Sequence, residues 1–415
     1  METDLRKNPA LLKLDLYCRG LRLDDSCTIE DKGGRKIMRT RAGLGSGLEL
    51  ILPGDLWTNV PVVEDFAASS PYTLRWENGS FELLHEAIGS VARVRLSPQP
   101  AWYNRRTSTG KRMTMVGTLQ GTYLGIYPSR ICDYWLKQPE KEQCKFCSVG
   151  LNLGADDSCE KSVQEVVEVV KAAREESALT YVDFNTGHYD GDTYLDILEP
   201  YVRRVKEETG VMIGVQTPPH HDLTRYHALR RMGVNRVSFC FELWNRDRFT
   251  EVCPGKHREY GLDRYLEAIR YCAQEVGPTG RAFEPWVVNG EIIAGLEPPE
   301  DSIRAIDWIA SVGAIPTVCV FRPLHATDYA GLPPPKTEDM VPIFRRLYEA
   351  TMERGLPVGV AQNVHVSLVM LPEEARWLQH DPNRFWMGEL KLKLMRKVFA
   401  AQLRRELKRA ALRAA

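Results

Sequence analysis

From about residue 118 onward, short apolar runs alternate with amphipathic stretches of helical periodicity. The stretch 162–176 illustrates this, because Ser162 and Glu165 form the pattern of a capping box at its start. Alternating strands and helices of this length imply parallel strands joined by helical crossovers. Six or seven such units predict an α/β fold, a partial (β/α)6-7 TIM-like barrel over residues 116–365. The predicted strands cover residues 122–127, 181–185, 211–217, 236–243, 285–294, 315–321 and 358–364.

The two ends of the chain differ from this central region. Residues 1–115 carry short apolar runs between turn-like segments, which predicts a small β-rich N-terminal accessory domain. Residues 366–415 predict a C-terminal helical extension that ends in a basic amphipathic helix. Such a helix can contact an anionic membrane or a partner, or it can close the open side of a barrel, and we favour the last. Its predicted apolar stripe comprises Leu392, Met395, Phe399, Leu403 and Leu407.

Composition narrows the class of protein. The 55 Lys and Arg residues balance the 55 Asp and Glu residues, so net charge gives no reason to expect a nucleic-acid partner. We identify neither a leader pattern nor a long apolar run, and we therefore expect a cytoplasmic protein. In the reducing cytosol, a CxxC pair among the ten cysteines indicates metal binding or redox chemistry.

Three cysteines follow the first predicted strand of the barrel. Cys132, Cys144 and Cys147 form a Cys-x11-Cys-x2-Cys pattern, with Phe146 just before the last cysteine. Three thiolates leave one coordination position open, which is what a reactive metal site requires. Alternatively, Cys159 would complete a symmetric set of four thiolates, which suits a structural zinc site. Both interpretations remain open on the loop alone.

Polar and small residues end several of the later predicted strands. Asn185, Glu242, Gly295 and Arg322 each lie at or just beyond a carboxyl end of a strand. In barrels of this class the chemistry lies at that end of the sheet. We therefore expect these residues and the cysteine loop to meet at one mouth.

With these features together, the chain resembles the radical S-adenosylmethionine (SAM) superfamily, on the side that includes biotin synthase. The resemblance covers roughly residues 118–362. It rests on the three cysteines with their C-K-F-C ending, the turn NTGH after the second strand, and the strand RVSFCFE. It also rests on the segment GEIIAGLE and on the FRP that follows the sixth strand.

The resemblance implies two cofactors, a [4Fe–4S] cluster and SAM. The implied cluster ligands are Cys132, Cys144 and Cys147, and the wide spacing of the first two departs from the usual family pattern. The implied contacts to the adenine of SAM come from Phe146, Ile292, Ile293 and Gly295. The implied contacts to its amino group come from Asn185, Thr186 and Gly187. Glu242 is implied to accept from the ribose hydroxyls. His188, which stands where many relatives have Glu, and Arg322 complete the candidate cofactor-binding set.

The resemblance also implies the reaction. The expected function is reductive cleavage of SAM to a 5′-deoxyadenosyl radical, which abstracts hydrogen from a small-molecule substrate, with flavodoxin or ferredoxin as electron donor. A second hypothesis keeps the cluster but cleaves another C–S bond of SAM for group transfer. A third is a zinc-stabilised barrel that binds a ligand without radical chemistry. The products of SAM separate the first two hypotheses, and iron content separates both from the third.

Overall fold

The computed structural model describes residues 2–30, 47–137, 141–154 and 157–414. In these residues the chain forms thirteen strands and fourteen α-helices. The strands are β1 (Arg22–Leu23), β2 (Leu48–Leu52), β3 (Leu56–Val60), β4 (Tyr72–Glu77), β5 (Ser80–His85), β6 (Gly89–Leu96), β7 (Thr118–Gln120), β8 (Tyr123–Ile126), β9 (Tyr181–Asn185), β10 (Met212–Gln216), β11 (Arg236–Glu242), β12 (Val287–Ala294) and β13 (Ile315–Val320). The helices are α1 (Glu2–Leu5), α2 (Pro9–Arg19), α3 (Asp133–Leu136), α4 (Val149–Asn152), α5 (Val163–Ser177), α6 (Tyr194–Thr209), α7 (Arg225–Met232), α8 (Arg246–Val252), α9 (Pro254–Glu259), α10 (Gly261–Gln274), α11 (Pro299–Ser311), α12 (Thr337–Glu353), α13 (Pro372–Ala375) and α14 (Trp386–Ala414).

The N-terminal strands form their own sheet, as the sequence predicts. Its six strands lie in the order β1-β4-β5-β6-β2-β3, and every pair except β1 with β4 is antiparallel. Helix α2 packs against β3, and nine of its eleven residues are buried. It begins with two favourable signals, because Asn8 caps the Leu11 amide and Pro9 occupies the first helical turn.

The central strands form a seven-stranded sheet in the sequential order β13-β12-β11-β10-β9-β8-β7. Strands β8 to β13 are all parallel, whereas β7 pairs antiparallel with β8 in a hairpin. Six parallel strands with helical crossovers confirm the predicted partial barrel of (β/α) units. The hairpin is not part of the prediction. It extends the sheet at the edge where a full barrel would continue.

The crossover helices begin and end at the signals present in the sequence. At the start of α5, the Ser162 side chain accepts from the Glu165 amide and the Glu165 carboxylate accepts from the Ser162 amide, which confirms the capping box. Helix α7 ends at Gly233, whose φ of 103° lies in the left-handed region that favours glycine. Local signals of this kind fix where each helix stops, so the following strand starts in register.

The open side of the barrel is closed by α14 and by residues 354–375, which are irregular up to the short helix α13 and are here called the closing segment. The predicted strand at 358–364 is wrong, because these residues form turns rather than a strand. Two positions interrupt any extended run there, since Gly359 has a φ of 61° and Asn363 a φ of 53°. On α14, the predicted stripe faces inward: Leu392 and Leu403 are buried, and Met395, Phe399 and Leu407 are half-buried. The helix therefore packs on the barrel, chiefly against α6.

Buried polar contacts join helix α2 to the closing segment. The Lys13 ammonium is fully buried and lies 2.7 Å from the Glu374 carboxylate. The Tyr17 hydroxyl donates to the Ser367 carbonyl at 2.7 Å. Buried polar groups persist only when they are paired, so these contacts hold the two parts in one arrangement.

None of the helices in the described part of the chain is both long enough and apolar enough to cross a membrane.

Candidate active site

The barrel encloses a cavity of about 640 Å³ that reaches every strand of the central sheet. Alternate residues of each strand face it, as the two-residue period of a strand requires. On β9 these are Tyr181, Asp183 and Asn185, and on β12 they are Val287, Asn289, Glu291 and Ile293. The opposite wall comes from the closing segment and α14, through Val358, Val360, Val366, Leu368, Val369, Met395 and Phe399. The cavity is therefore polar on the sheet side and apolar on the closing side.

The three cysteines of the loop line this cavity together at its carboxyl-end mouth. The Cys147 amide donates to the Cys144 carbonyl at 3.0 Å, which closes a tight turn around Phe146. Backbone amides also point at two of the sulfurs. The His188 amide donates to the Cys132 Sγ at 3.3 Å, and the Val149 amide donates to the Cys147 Sγ at 3.5 Å. Such amide donors stabilise sulfur ligands that carry negative charge.

The three thiols differ in their electrostatic environment. Burial raises the pKa of Cys132 to about 11 and that of Cys147 to about 12. In contrast, a hydrogen bond with the buried Cys253 thiol, followed by the nearby Lys256 ammonium, lowers the pKa of Cys144. Metal binding requires thiolates, so the site holds protons that a metal would displace. Cys144 gives up its proton most readily.

The donor set fits a polynuclear cluster better than a single metal ion. Among the described residues, no three His, Cys, Asp or Glu side chains converge where one ion could be held. Cys159, which the zinc alternative requires, is exposed and lies outside the cavity lining. The three thiols that line the cavity, of which Cys144 is buried and the other two are half-buried, are enough for each to bind a different iron of a [4Fe–4S] cluster. The turn after β9 packs directly against this loop at Gly187. A Cβ added to Gly187 would lie 2.5 Å from the Cys132 Cβ, which is too close for any residue but glycine without a shift of the cysteine.

The turn after β9 brings four predicted residues to the cavity, Asn185, Thr186, Gly187 and His188. The Thr186 Oγ1 is buried and has no hydrogen-bond partner in the described part of the chain, so it is free to contact a ligand. The His188 ring is already engaged. Its Nδ1 lies 2.9 Å from the Tyr260 hydroxyl, and the ring stacks on Tyr134 at 4.4 Å. Burial lowers the pKa of His188, which keeps the imidazole neutral near pH 7.

Glu242 ends β11 in a strained conformation. Its φ is 69°, and the pairing of β11 with β12 shifts register between Cys240 and Glu242. Residues with side chains seldom adopt this conformation, and it concentrates at functional sites. The Glu242 Oε1 lies 2.5 Å from the Lys256 Nζ, and the same ammonium donates to the Cys240 carbonyl. Burial acts to lower the pKa of Lys256, but Glu242, Tyr265 and the nearby thiols of Cys144 and Cys253 together outweigh it and hold that pKa well above its usual value. Lys256 is therefore charged in the cavity.

The remaining predicted residues divide between the cavity and the surrounding core. Phe146 and Ile293 line the cavity, whereas Ile292, Gly295 and Arg322 do not. Ile292 is fully buried in the core. Gly295 packs against Pro335. The Arg322 guanidinium donates to the side chain and backbone oxygens of Asn59 on β3, at 2.9 and 2.7 Å. In this structure Arg322 joins the barrel to the N-terminal sheet.

A buried polar band, which sequence reasoning missed, crosses the sheet wall below the cysteines. The Arg236 guanidinium lies 3.0 Å from the Asp183 carboxylate and donates to the Asn289 side chain at 2.9 Å. Glu291 lies 4.0 Å from Arg236, and burial raises its pKa. Arg236, Asp183, Asn289 and Glu291 all line the cavity. The available signal was a pair of polar residues two positions apart on each strand, Asp183 and Asn185 on β9 and Asn289 and Glu291 on β12.

Lys256 was also missed, because it comes from α9 rather than from a strand end. No periodic pattern marks it in the sequence. The Tyr134 and Tyr265 side chains, which also line the cavity beside it, have hydroxyls without hydrogen-bond partners among the described residues. These buried donors face the region between Lys256 and the cysteines. They add to the polar groups available to a ligand at the mouth.

No family model matches the chain. Among curated proteins it is similar to bacteriochlorophyllide c C-7(1)-hydroxylase of Chlorobaculum limnaeum, with 24% identity over 295 residues, 65% of this chain and 71% of that protein. Among solved structures it is similar to methylornithine synthase, with 17% identity and a TM-score of 0.42 over 67% of this chain and 84% of that one.

Two other solved structures match over about half of their own length. One is HydG, a maturase of the [FeFe]-hydrogenase, with 14% identity and a TM-score of 0.39 over 55% of this chain and 48% of that one. The other is coproporphyrinogen III oxidase from Escherichia coli, described as a radical SAM enzyme, with 17% identity and a TM-score of 0.34. That match covers 51% of this chain and 50% of the oxidase.

Proposed function

We propose that this chain is a radical SAM enzyme that cleaves SAM reductively and abstracts hydrogen from a small molecule in the barrel cavity. The membership is supported by the cysteine motif, by the partial barrel and by the sequence similarity to the curated hydroxylase. The single observation that carries the reaction is the meeting of three cysteines and the β9 turn on one cavity.

We assign the cluster to Cys132, Cys144 and Cys147. When bound there, a [4Fe–4S] cluster would supply the electron that splits SAM into methionine and a 5′-deoxyadenosyl radical. The His188 and Val149 amides orient and stabilise the ligand sulfurs. We assign a flavodoxin or ferredoxin as the source of the electron, since the chain's remaining cysteines lack CxxC spacing for an additional cluster.

SAM is held by groups next to the cysteines. Thr186 offers an unpartnered hydroxyl, and Asn185 offers its amide at the end of β9. Glu242 remains the candidate for the ribose hydroxyls, and Lys256 fixes its orientation through their ion pair. Phe146 and Ile293 supply apolar surface for adenine. Ile292, Gly295 and Arg322 are not used in this assignment.

The substrate occupies the deeper part of the cavity, between its two unlike walls. The polar band of Arg236, Asp183, Asn289 and Glu291 positions a polar group by hydrogen bonds and charge. The apolar closing wall holds hydrocarbon and excludes water, which a carbon radical requires. An amphipathic small molecule satisfies both walls. The curated relative is named as a hydroxylase, and a hydroxylation here would take its oxygen from water admitted after hydrogen abstraction and pass the remaining electron to the oxidised form of the external electron carrier.

The test is mass spectrometry of SAM products from anaerobically reconstituted protein with dithionite. We expect 5′-deoxyadenosine, and we expect Cys144→Ala to abolish it together with the visible absorption of the cluster. Cys159→Ala is the matched control, because that thiol is exposed and outside the cavity, and it should behave as the parent does.

Three results would contradict the proposal or part of it. Methylthioadenosine as the main product would favour cleavage of another C–S bond of SAM. Bound zinc without iron, with SAM left intact, would favour the ligand-binding barrel. Loss of the cluster in Cys159→Ala would reject the assignment of the three ligands even if SAM is cleaved.

A further inference from the structure

Helix α14 carries a second line of apolar side chains on the side away from the barrel. Met387, Leu390, Leu394 and Val398 are exposed by 67%, 60%, 64% and 53%. Their spacing of three or four residues places them on one face of the helix. The inward stripe of Leu392, Met395, Phe399 and Leu403 is separate and already packed. The helix is thus apolar on two faces, although packing on the barrel requires only one.

The outward face is also basic. Toward the carboxyl end of the helix, the same face carries the exposed residues Arg405, Lys408 and Leu412. Leu412 is 80% exposed. Lys391 and Lys397 flank its first half, and both are exposed. This face therefore combines an apolar strip at one end with cations along its whole length.

The two carboxylates in the described part of α14 do not belong to this face. Glu389 accepts a hydrogen bond from the buried Tyr348 at 2.8 Å, so it points toward α12. Glu406 is only 22% exposed, and its charge acts on Lys206 of α6, so it lies on the inward side. The outward face of the described helix therefore presents cations without an acidic residue among them.

An indole side chain lies at the amino-terminal end of α14. Trp386, the first residue of the helix, is 61% exposed. Tryptophan favours the boundary between lipid headgroups and hydrocarbon, because its ring is apolar and its N–H is polar. An exposed indole beside an apolar strip and a set of cations is typical of an interfacial helix.

We propose that the outward face of α14 binds an anionic lipid surface, with the helix lying parallel to it. Leu390, Leu394 and Val398 would enter the boundary between headgroups and acyl chains, while lysines and arginines contact lipid phosphates. A second copy of this chain fits less well, since pairing the two faces would bring cations against cations. The proposal does not depend on the reaction, and it concerns the side of α14 opposite to the cavity.

The test is sedimentation of the full-length protein with extruded vesicles of phosphatidylcholine alone or mixed equally with phosphatidylglycerol. We expect at least about tenfold stronger partitioning onto the anionic vesicles, with most of it lost at high salt, because the cations act through a screened potential. A Leu390→Ser/Leu394→Ser variant should lose at least about tenfold, because two apolar side chains no longer enter the bilayer. A Lys391→Gln/Lys397→Gln variant should lose about tenfold or more on anionic vesicles alone.

Matched controls separate this surface from general stickiness. Val63→Ser/Leu332→Ser removes two other exposed apolar side chains, and it should bind vesicles as the parent does. Circular dichroism should show the same melting profile for all variants, since every changed side chain is exposed.

Three outcomes would overturn the proposal. The first is equal binding to neutral and anionic vesicles, and the second is unchanged binding in the Leu390→Ser/Leu394→Ser variant. The third is a dimer in light scattering that this variant abolishes, because the face would then belong to a second copy.

Discussion

The two walls of the cavity differ in the regularity of their backbone and in their polarity. The sheet wall is regular, and it carries a polar network in which Arg236 faces Asp183 and Glu291. The closing wall is irregular around Gly359 and is mostly apolar, with α14 as its outer support. Charges that must be buried are placed on strands, whose geometry holds partners within hydrogen-bond reach. The apolar lining that shapes the cavity and excludes water comes instead from the irregular closing wall, and irregular segments generally tolerate sequence change more easily than strands do. The following predictions test this division, in order of decreasing effect.

The largest effect is expected on the sheet wall. Arg236→Met leaves Asp183 and Glu291 buried without their cation, and breaking a buried ion pair in this way costs about 3–5 kcal/mol of unfolding free energy. Urea unfolding of the purified protein measures it. Arg93→Met on the N-terminal sheet is the control, because its pair with Glu82 is exposed at the Arg93 end and should be worth about 1 kcal/mol or less. Equal losses in the two variants would refute the idea that the sheet wall depends on charge.

A smaller effect is expected on the closing wall. Phe399→Ala removes a half-buried ring that lines the cavity and packs against Phe283 at 5.2 Å. We expect a loss of about 2 kcal/mol, below the range for a fully buried ring, with little dependence on salt. Hydrogen exchange should become faster along α14. Val398→Ala changes the adjacent exposed residue and should cost less than about 0.5 kcal/mol. A salt-dependent loss in Phe399→Ala would contradict an apolar closing wall.

The smallest effect concerns the one acidic residue of the closing segment that lines the cavity, Glu373. Burial raises its pKa to about 7 from an ordinary value of 4.5. The folded state therefore holds this proton more tightly than the unfolded state. The stability that this provides is complete below about pH 4.5 and is lost as the pH rises to about 7.

Glu373→Gln removes this titration. Relative to the parent, the variant should gain stability between pH 5 and pH 7.5, by an amount on the order of 1 kcal/mol, less than the full pKa shift would give because Glu373 is only half-buried and solvent screens its charge. Urea midpoints at the two pH values measure the change. Glu338→Gln, an exposed residue in the first turn of α12, is the control and should show no such gain. A gain that is larger at pH 5 than at pH 7.5 would contradict the sign.

Much of the sheet wall could be predicted from sequence, because its signals are local. The run 181–185 became β9 without a change of bounds, and the strand at 236–243 is shorter by one residue in the structure. Parallel strands place their carboxyl ends together, so the cysteine loop, Asn185 and Glu242 meet as expected. The residue roles assigned by resemblance at that mouth remain predictions.

The closing wall could not be predicted in the same way. Its valines at 358–364 suggested a strand because β propensity reports a residue that fits a half-buried pleated surface. Here they cover a cavity from an irregular backbone, and positive φ values at Gly359 and Asn363 prevent a strand. Arg322 illustrates a second difficulty. Its partner Asn59 is far away in the sequence, and no local pattern shows that a distant sheet will take up its hydrogen bonds.

Helix α14 separates two environments by little more than its own width. Phe399 lines the cavity, and its neighbour Val398 is exposed to solvent. The partition between the interior and the exterior is therefore one helix diameter, roughly 10 Å. Alterations along this one element change the size of the chamber and the character of the outer surface while leaving the cysteines and the β9 turn in place. Substitution on α14 is therefore a route to a different ligand preference that leaves the cysteine loop and the β9 turn intact.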